Sequence, residues 1–180
     1  MSNPFNMRFK RAKDKAKILD AMSDITKNNN CVQFKPRSNE ADYVHIQPGT
    51  RCKSKVGRKG GKQYVDLAPG CINDKRKSTH ELLHAVGFHH EHSRPDRDDY
   101  VEVQWANLKP GNEQNFQKYN QSMYQVYTKF DYGSIMLYKK TSMSNNKEFT
   151  LISKQAPTHD ITYTKVMSPL DIVTTEDHHV

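Results

Sequence analysis

The sequence contains no long apolar segment. Only 34% of its 180 residues are hydrophobic, and no run approaches the roughly 18 apolar residues of a membrane-spanning helix. The first ten residues also lack the apolar stretch of a signal peptide. We therefore expect no membrane span, and either a cytosolic chain or a mature or truncated portion of a longer one.

Repeats, low-complexity tracts and long linkers are absent as well. A chain of this length fits one compact domain, at most with two lobes, which we place at residues 1–180. Nine tyrosines and seven phenylalanines supply large side chains for a core. The three cysteines are Cys31, Cys52 and Cys71, and this odd count leaves one thiol over if two of them pair. Spacing alone assigns no disulfide.

Basic residues outnumber acidic ones, and the formal net charge is +8. Much of the excess lies in Arg8–Lys17 and Arg51–Lys62, with a short cluster at Lys75–Lys77. Such a balance is typical of nucleic-acid-binding proteins, but no recognition motif is present and no aromatic residues alternate with these charges. We expect a solvated helix face and charged loops, or an electrostatic preference for acidic partners, and no nucleic-acid partner.

Hydrophobic periodicity predicts two helices in the first half of the chain. The first covers Lys10–Lys27, and the second runs from about Lys75 to Val86, with Asn73 or Asp74 as N-cap and Gly87 as the terminating residue. Short β-rich runs between Pro, Gly and Asn predict three strands: Val32–Phe34, Tyr43–Gln47 and Gln63–Leu67. The chain beyond Gly87 is mostly irregular, with partial order at Val101–Asn107 and a last short helix at Ser168–Glu176 that opens at Pro169.

The segment from His80 to His90 reads His-Glu-Leu-Leu-His-Ala-Val-Gly-Phe-His-His and indicates a metal site. Residues four apart share a helix face, so His80 and His84 can bind one ion. On a straight helix His90 would lie about 9 Å further along the axis. Gly87 can take a positive φ at little cost and lets the chain fold back, which brings His90 to the same ion.

Three neutral imidazoles with one open position are typical of catalytic zinc, which lowers the pKa of a bound water to about 7. Glu81 follows His80 and can act as general base towards that water and then pass the proton to the leaving amine. Two other interpretations remain open: a histidine-rich surface helix without metal, and a capping box formed by Ser78 and Glu81. His89 and His92 lie off the pattern and are expected to be exposed. His178 and His179 are expected in a solvated tail.

At these residues the chain resembles the astacin family of metzincin zinc proteases. The match continues from Glu91 to Tyr100 and includes a Met-turn at Ser134–Tyr138. Further similar stretches are Cys31–Arg37, Gly57–Cys71 and Trp105–Phe116. The resemblance extends from about Pro4 to Tyr138, with both termini incomplete.

The resemblance implies an α+β fold of the zincin type with two lobes. The first lobe, residues 1–90, would hold a twisted mixed sheet and two helices, and the second, residues 91–180, would be rich in loops. It also implies that Met136 lies beneath the three imidazoles. Tyr138 would be an extra zinc ligand in the resting enzyme that swings to hydrogen-bond the oxyanion of the reaction. On composition alone both would be ordinary core residues. The strand Gln63–Leu67 would be an edge strand that pairs with substrate, or else a plain sheet strand.

The resemblance also pairs Cys52 with Cys71, which implies an oxidising compartment and secretion. It leaves Cys31 without its family partner, either free or paired with another chain. In the family Glu91 meets the processed N-terminus, so its partner in this chain is left open. The sequon Asn120-Gln121-Ser122 matters only if the chain is secreted.

The function implied is that of a zinc metalloendopeptidase, which hydrolyses peptide bonds in proteins by zinc-activated water with Glu81 as general base. It would bind one Zn²⁺ per chain and take protein or peptide substrates; the sequence does not indicate an oligomeric state. The alternative is a catalytically impaired zinc-binding relative that acts by binding.

Overall fold

The computed structural model describes residues 2–27, 31–124, 126–156 and 158–172. The chain divides into two compact units, one formed by Met1–Phe88 with Lys165–Val180 and the other by His89–Thr164. No helix among the described residues is long and apolar enough to cross a membrane.

The first unit contains a five-stranded mixed sheet. Its strands are β1 (Ser2–Met7), β2 (Gln33–Pro36), β3 (Tyr43–Pro48), β4 (Lys53–Ser54) and β5 (Lys62–Leu67). Their order is β2-β1-β3-β5-β4, and only β4 runs antiparallel to its neighbour. The mixed sheet and the α+β class implied by the resemblance are therefore confirmed.

Among the described residues up to Phe88, three helices accompany this sheet: α1 (Ala12–Lys27), α2 (Pro69–Ile72) and α3 (Lys75–Val86). α1 buries an apolar stripe of Ile18, Ala21, Met22 and Ile25 at helical spacing and packs against α3. The sheet adds buried apolar residues on two neighbouring strands, Val44, Ile46, Val65 and Leu67. α3 begins and ends where the sequence predicts, with Asp74 as its N-cap, whereas α1 begins two residues later than predicted.

The strand Gln63–Leu67 is not at an edge of the sheet. It forms most of β5, which lies between β3 and β4, so the edge on this side is Lys53–Ser54. The prediction of an edge strand was therefore wrong, and the plain sheet strand is what forms. A two-residue strand of Lys and Ser carries no apolar alternation that sequence reasoning could detect.

The second unit is rich in loops, as the resemblance implies. Its described residues form no α-helix; they form five short 3₁₀ segments and a two-stranded sheet of β6 (Val101–Val103) and β7 (Leu151–Ser153). The 3₁₀ segments are Glu91–Ser93, Arg97–Asp99, Trp105–Asn107, Glu113–Phe116 and Gln121–Met123. Buried side chains from both strands, from a 3₁₀ segment and from dispersed loops form its core, among them Val101, Leu108, Phe116, Phe130, Leu137 and Leu151.

Cys52 and Cys71 form a disulfide within the first unit, with Cα atoms 6.2 Å apart, and Cys31 lies outside it, half-buried. Near the C-terminus, residues 169–172 are helical, in agreement with the predicted start at Pro169. The rest of that predicted helix, together with His178 and His179, lies outside the described residues.

Candidate metal centre

α3 presents His80 and His84 on one face, with their ring centroids 4.6 Å apart. The helix ends at Val86, and its C-cap is Gly87, whose φ is 132° and whose backbone N–H donates to the carbonyls of Leu83 and His84. A Cβ built on Gly87 would meet no atom within 4 Å. Glycine is therefore required here for the backbone conformation and not for space.

The turn after Gly87 brings the third imidazole to the other two. One ring nitrogen each of His80, His84 and His90 lies within 4.8 Å of the others. Ligand nitrogens in a tetrahedral zinc site are roughly 3.4 Å apart, because each Zn–N bond is about 2.1 Å long. The upper limit of 4.8 Å is of the same order as that spacing. A set of three imidazoles fits Zn²⁺ and leaves a fourth position open.

His84 is oriented by a hydrogen bond to the backbone. Its Nδ1 lies 2.7 Å from the carbonyl oxygen of Phe88. A carbonyl can only accept, so Nδ1 carries the proton and Nε2 is left as the metal ligand. Burial lowers the pKa of His84, while the Phe88 carbonyl opposes this effect. The neutral ring that a metal requires is therefore the favoured form.

Glu81 is buried on α3 beside His80, with 8% of its surface exposed. Burial raises the pKa of its carboxyl group to about 7. The capping-box alternative is wrong, since Asp74 is the N-cap of α3 and the hydroxyl of Ser78 donates to the carbonyl of Cys71 at 2.9 Å. A carboxylate with this pKa can both take and return a proton near neutral pH.

The Met-turn, Ser134–Tyr138, contacts His90 and the residue that follows it. Met136 is fully buried, and its carbonyl accepts the backbone N–H of Glu91 at 3.2 Å. The ring of Tyr138 lies 4.8 Å from that of His90, centroid to centroid. Tyr138 is partly exposed and packs against the core of the second unit.

The side chain of Glu91 is bound within its own unit. Its Oε1 accepts from Arg94 at 2.8 Å and from the backbone N–H of Asp131 at 2.8 Å. This answers the question that the sequence left open about the partner of Glu91. The spacing of three residues between Glu91 and Arg94 in a helical turn was the available signal.

His92 was expected to be exposed and is fully buried, so that prediction was wrong. His89 is partly buried and packs against Tyr119, with centroids 4.2 Å apart. The aromatic neighbours that bury both histidines come from distant loops, which local sequence patterns cannot reveal. Among the described residues, one group of at least three His, Cys, Asp or Glu side chains is close enough to hold a metal ion. It consists of His80, His84 and His90.

Comparison with known proteins agrees with the family resemblance described from the sequence. The family Astacin (Peptidase family M12A) matches residues 4–179, which extends well past Tyr138. Zinc metalloproteinase nas-13 of Caenorhabditis elegans is 46% identical over 76% of this chain and 30% of its own length. Zinc metalloproteinase nas-6 of the same organism is 37% identical over 94% of this chain and 50% of its own length. The chain thus spans half or less of these relatives.

This chain is also similar to a solved structure. High choriolytic enzyme 1, a hatching enzyme zinc-protease from Oryzias latipes, superimposes with a TM-score of 0.90 and is 32% identical. The alignment covers 97% of this chain and 87% of that one.

Proposed function

Because this chain belongs to the astacin family of zinc metallopeptidases, peptidase family M12A, we propose that it hydrolyses peptide bonds within proteins as a zinc metalloendopeptidase. The observation that carries the proposal is the convergence of His80, His84 and His90 on one point. A set of three imidazoles beside a buried carboxylate is the donor chemistry of a hydrolytic zinc site.

His80, His84 and His90 would hold one Zn²⁺. When bound, the ion supplies a Lewis acid for the peptide carbonyl and makes a water molecule more acidic. Glu81 takes the proton of the attacking water and later delivers it to the leaving amine, a role that its raised pKa supports. Tyr138 donates its phenolic O–H to the oxygen that becomes negative during attack.

Substrate binding would use the free edge of the sheet. β4 has a neighbour on one side only among the described strands, and an extended peptide can add there through backbone hydrogen bonds. Lys53 on β4 and Lys55, which follows the strand, have exposed side chains. Lys53 pairs with Asp66 at 3.2 Å, which leaves Lys55 outside this pair. We expect a preference for acidic side chains in the substrate. A peptide library that is cleaved without any acidic preference would remove this part of the proposal.

We place residues 1–180 in one catalytic domain and assign the protein to an oxidising, extracellular compartment. The Cys52–Cys71 disulfide supports that assignment, because such bonds persist outside the cytosol.

The test is to purify the chain, measure bound zinc, and follow cleavage of casein and gelatin with and without phenanthroline. Stoichiometric zinc and cleavage that phenanthroline abolishes are expected. Zinc without cleavage would favour a relative that acts by binding. A pure, folded sample without stoichiometric zinc would refute the proposal.

A further inference from the structure

We propose that the face of the five-stranded sheet opposite α1 binds a sulfated linear polysaccharide. The residues of this outer sheet face that carry the argument are Arg8, Arg37, Tyr43, His45, Lys62 and Tyr64. All of them lie in the first unit, and the proposal goes beyond the proposed function because it does not require peptide cleavage. Its basis is a set of exposed cations that form no ion pair with a described carboxylate.

Strand alternation identifies the outer sheet face. Successive side chains of a strand point to opposite faces. On β1, Phe5 is buried and lines one groove together with Met22 of α1, whereas the next residue, Asn6, is exposed. The parallel register places Asn6 beside His45 and His45 beside Tyr64. The rings of His45 and Tyr64 are 5.6 Å apart, centroid to centroid, so these side chains share the face opposite α1.

Two of the cations lie on opposite sides of His45. Arg8 follows β1 and keeps its register, because its backbone N–H donates to the carbonyl of Ile46 at 2.9 Å. Lys62 comes two residues before Tyr64, and its ammonium lies 4.9 Å from the centre of that ring. Neighbouring strands are about 4.8 Å apart and each residue advances a strand by about 3.3 Å, which puts the Cα atoms of Arg8 and Lys62 about 16 Å apart.

Arg37 adds a third cation beyond β1. It follows β2, and its backbone N–H donates to the carbonyl of Phe5 at 2.8 Å. Its guanidinium lies 4.0 Å from the centre of the Tyr43 ring. Arg8, Arg37 and Lys62 are all exposed, and the ion pairs among the described residues of the first unit include none of the three. Their charges are therefore available to an anionic ligand.

His45 responds to this positive field. Burial lowers the pKa of His45, and the charges of Lys62 and Arg8 lower it further. Its buried Nδ1 has no hydrogen-bond partner in the described part of the chain. Asp66, an acidic residue of β5, is already paired with Lys53 at 3.2 Å. The centre of the outer sheet face thus holds positive charge that no neighbouring carboxylate offsets.

The distribution of the cations selects the class of ligand. They are spread over four adjacent strands, so a ligand that contacts all of them needs repeated anionic groups. Single-stranded nucleic acid has such groups but stacks its bases on aromatic faces, and here cations lie over the rings of both tyrosines. Protein partners are held mainly by buried apolar and aromatic anchors, whereas Tyr64 is the one exposed uncharged member of this set. A sulfated polysaccharide fits these properties best.

The experiment measures binding of a heparin decasaccharide to the full chain between 50 and 200 mM NaCl. On a polyanion such as DNA, each contacting cation adds roughly 0.9 to the slope of log K against log salt. The double variant Arg8→Gln with Lys62→Gln should therefore lower this slope by about 2 and weaken binding at 50 mM NaCl by about tenfold or more. Failure of the wild type to bind at 50 mM NaCl would overturn the proposal.

The matched control is the double variant Lys13→Gln with Lys15→Gln. Both lysines are exposed on α1, and their removal changes the net charge by the same amount. Binding should stay within about threefold of the wild type, because distant exposed charges are screened by salt. Equal losses in the two double variants would show that binding follows net charge and not the outer sheet face. Equal affinity for a desulfated decasaccharide, or tighter binding of oligothymidylate or polyglutamate, would overturn the choice of ligand.

The imidazole of His45 gives a readout at the site itself. A bound polyanion offsets the charges of Arg8 and Lys62, so the pKa of His45 should rise when the decasaccharide is added, as followed by NMR. The Arg8→Gln, Lys62→Gln variant should show a smaller change. An unchanged titration of His45 at saturating decasaccharide would place the ligand elsewhere and overturn the proposal. None of these measurements uses cleavage, so an inactive chain would refute the proposed function and leave this test intact.

Discussion

Arg94 and Glu91 form a buried ion pair, with 2.8 Å between the guanidinium Nη1 and Oε1. The side chain of Arg94 is 2% exposed, yet each of its donor directions is used. Nε and Nη2 donate to the two carboxylate oxygens of Asp96, and the carbonyls of Thr128 and Lys129 accept the remaining hydrogens. One side chain thereby joins the segment that follows His90 to the loop at residues 128–131.

Removing this guanidinium should destabilise the protein strongly. Arg94→Ala removes the cation that pairs with Glu91, whose side chain is only 12% exposed, and breaking a buried pair typically costs about 3–5 kcal/mol. Urea unfolding of the zinc-loaded protein measures the loss. The control is Arg58→Ala, since Arg58 pairs with Asp42 on the surface with 80% of its side chain exposed. Exposed pairs contribute about 0–1 kcal/mol. If Arg94→Ala loses as little free energy of unfolding as Arg58→Ala does, the buried network does not stabilise the protein.

Glu81→Gln tests the general base. The amide has a similar shape but cannot take a proton, so cleavage should fall by about 10²-fold or more while zinc content is unchanged. Glu102→Gln is the matched control, because Glu102 is an exposed carboxylate on β6. This variant should cleave substrate as the wild type does. Wild-type cleavage by Glu81→Gln would remove the assignment of this residue.

Gly87→Ala tests the turn that brings His90 to the other two histidines. A Cβ meets nothing at this position, so the cost comes from placing alanine at a φ of 132°, on the order of 1–3 kcal/mol. We expect lower stability and weaker zinc binding, measured by thermal unfolding and by competition with a chelator. Gly70→Ala is the control, since Gly70 also has open space but lies in α2 at an ordinary φ. It should be neutral or slightly stabilising.

The local parts of the site could be predicted from sequence, and the tertiary parts could not. The four-residue spacing of His80 and His84 and the glycine at 87 act within one helix and one turn, so the pattern contains the geometry. His92 shows the limit of this reasoning. Its burial depends on Phe116 and Tyr138, which only the fold brings near.

The same limit explains the errors in the sheet. β1 contains Pro4 and two asparagines, which disfavour strands, so its sequence did not indicate one. Parallel pairing with β2 and β3 determines its conformation instead. The edge position of β4 likewise depends on which strands pair, and that information is not local.

Asn120 should carry an N-linked glycan when the chain passes through a eukaryotic secretory pathway. It is exposed, and its Oδ1 accepts from the backbone N–H and the hydroxyl of Ser122, both at 3.0 Å. In the transfer, Nδ2 loses a proton and bonds to the sugar as the diphosphate of the lipid-linked donor leaves. Glycosidase treatment of secreted protein should increase its gel mobility, and Asn120→Gln should abolish the change. Identical mobility of treated and untreated wild type would contradict this prediction.

The stability of the protein should fall as the pH drops below about 6.5, in part because of His45. Burial lowers the pKa of His45, and the charges of Lys62 and Arg8 lower it further. The unfolded chain therefore binds a proton at this residue more readily than the folded protein does. The contribution to stability is complete above the unfolded pKa of 6.5 and is lost as the pH falls through the folded pKa. Urea unfolding of wild type and His45→Gln between pH 7.5 and 5 isolates the effect. The wild type should lose more free energy of unfolding over this range than the variant, and parallel curves would show that His45 has the same pKa in both states.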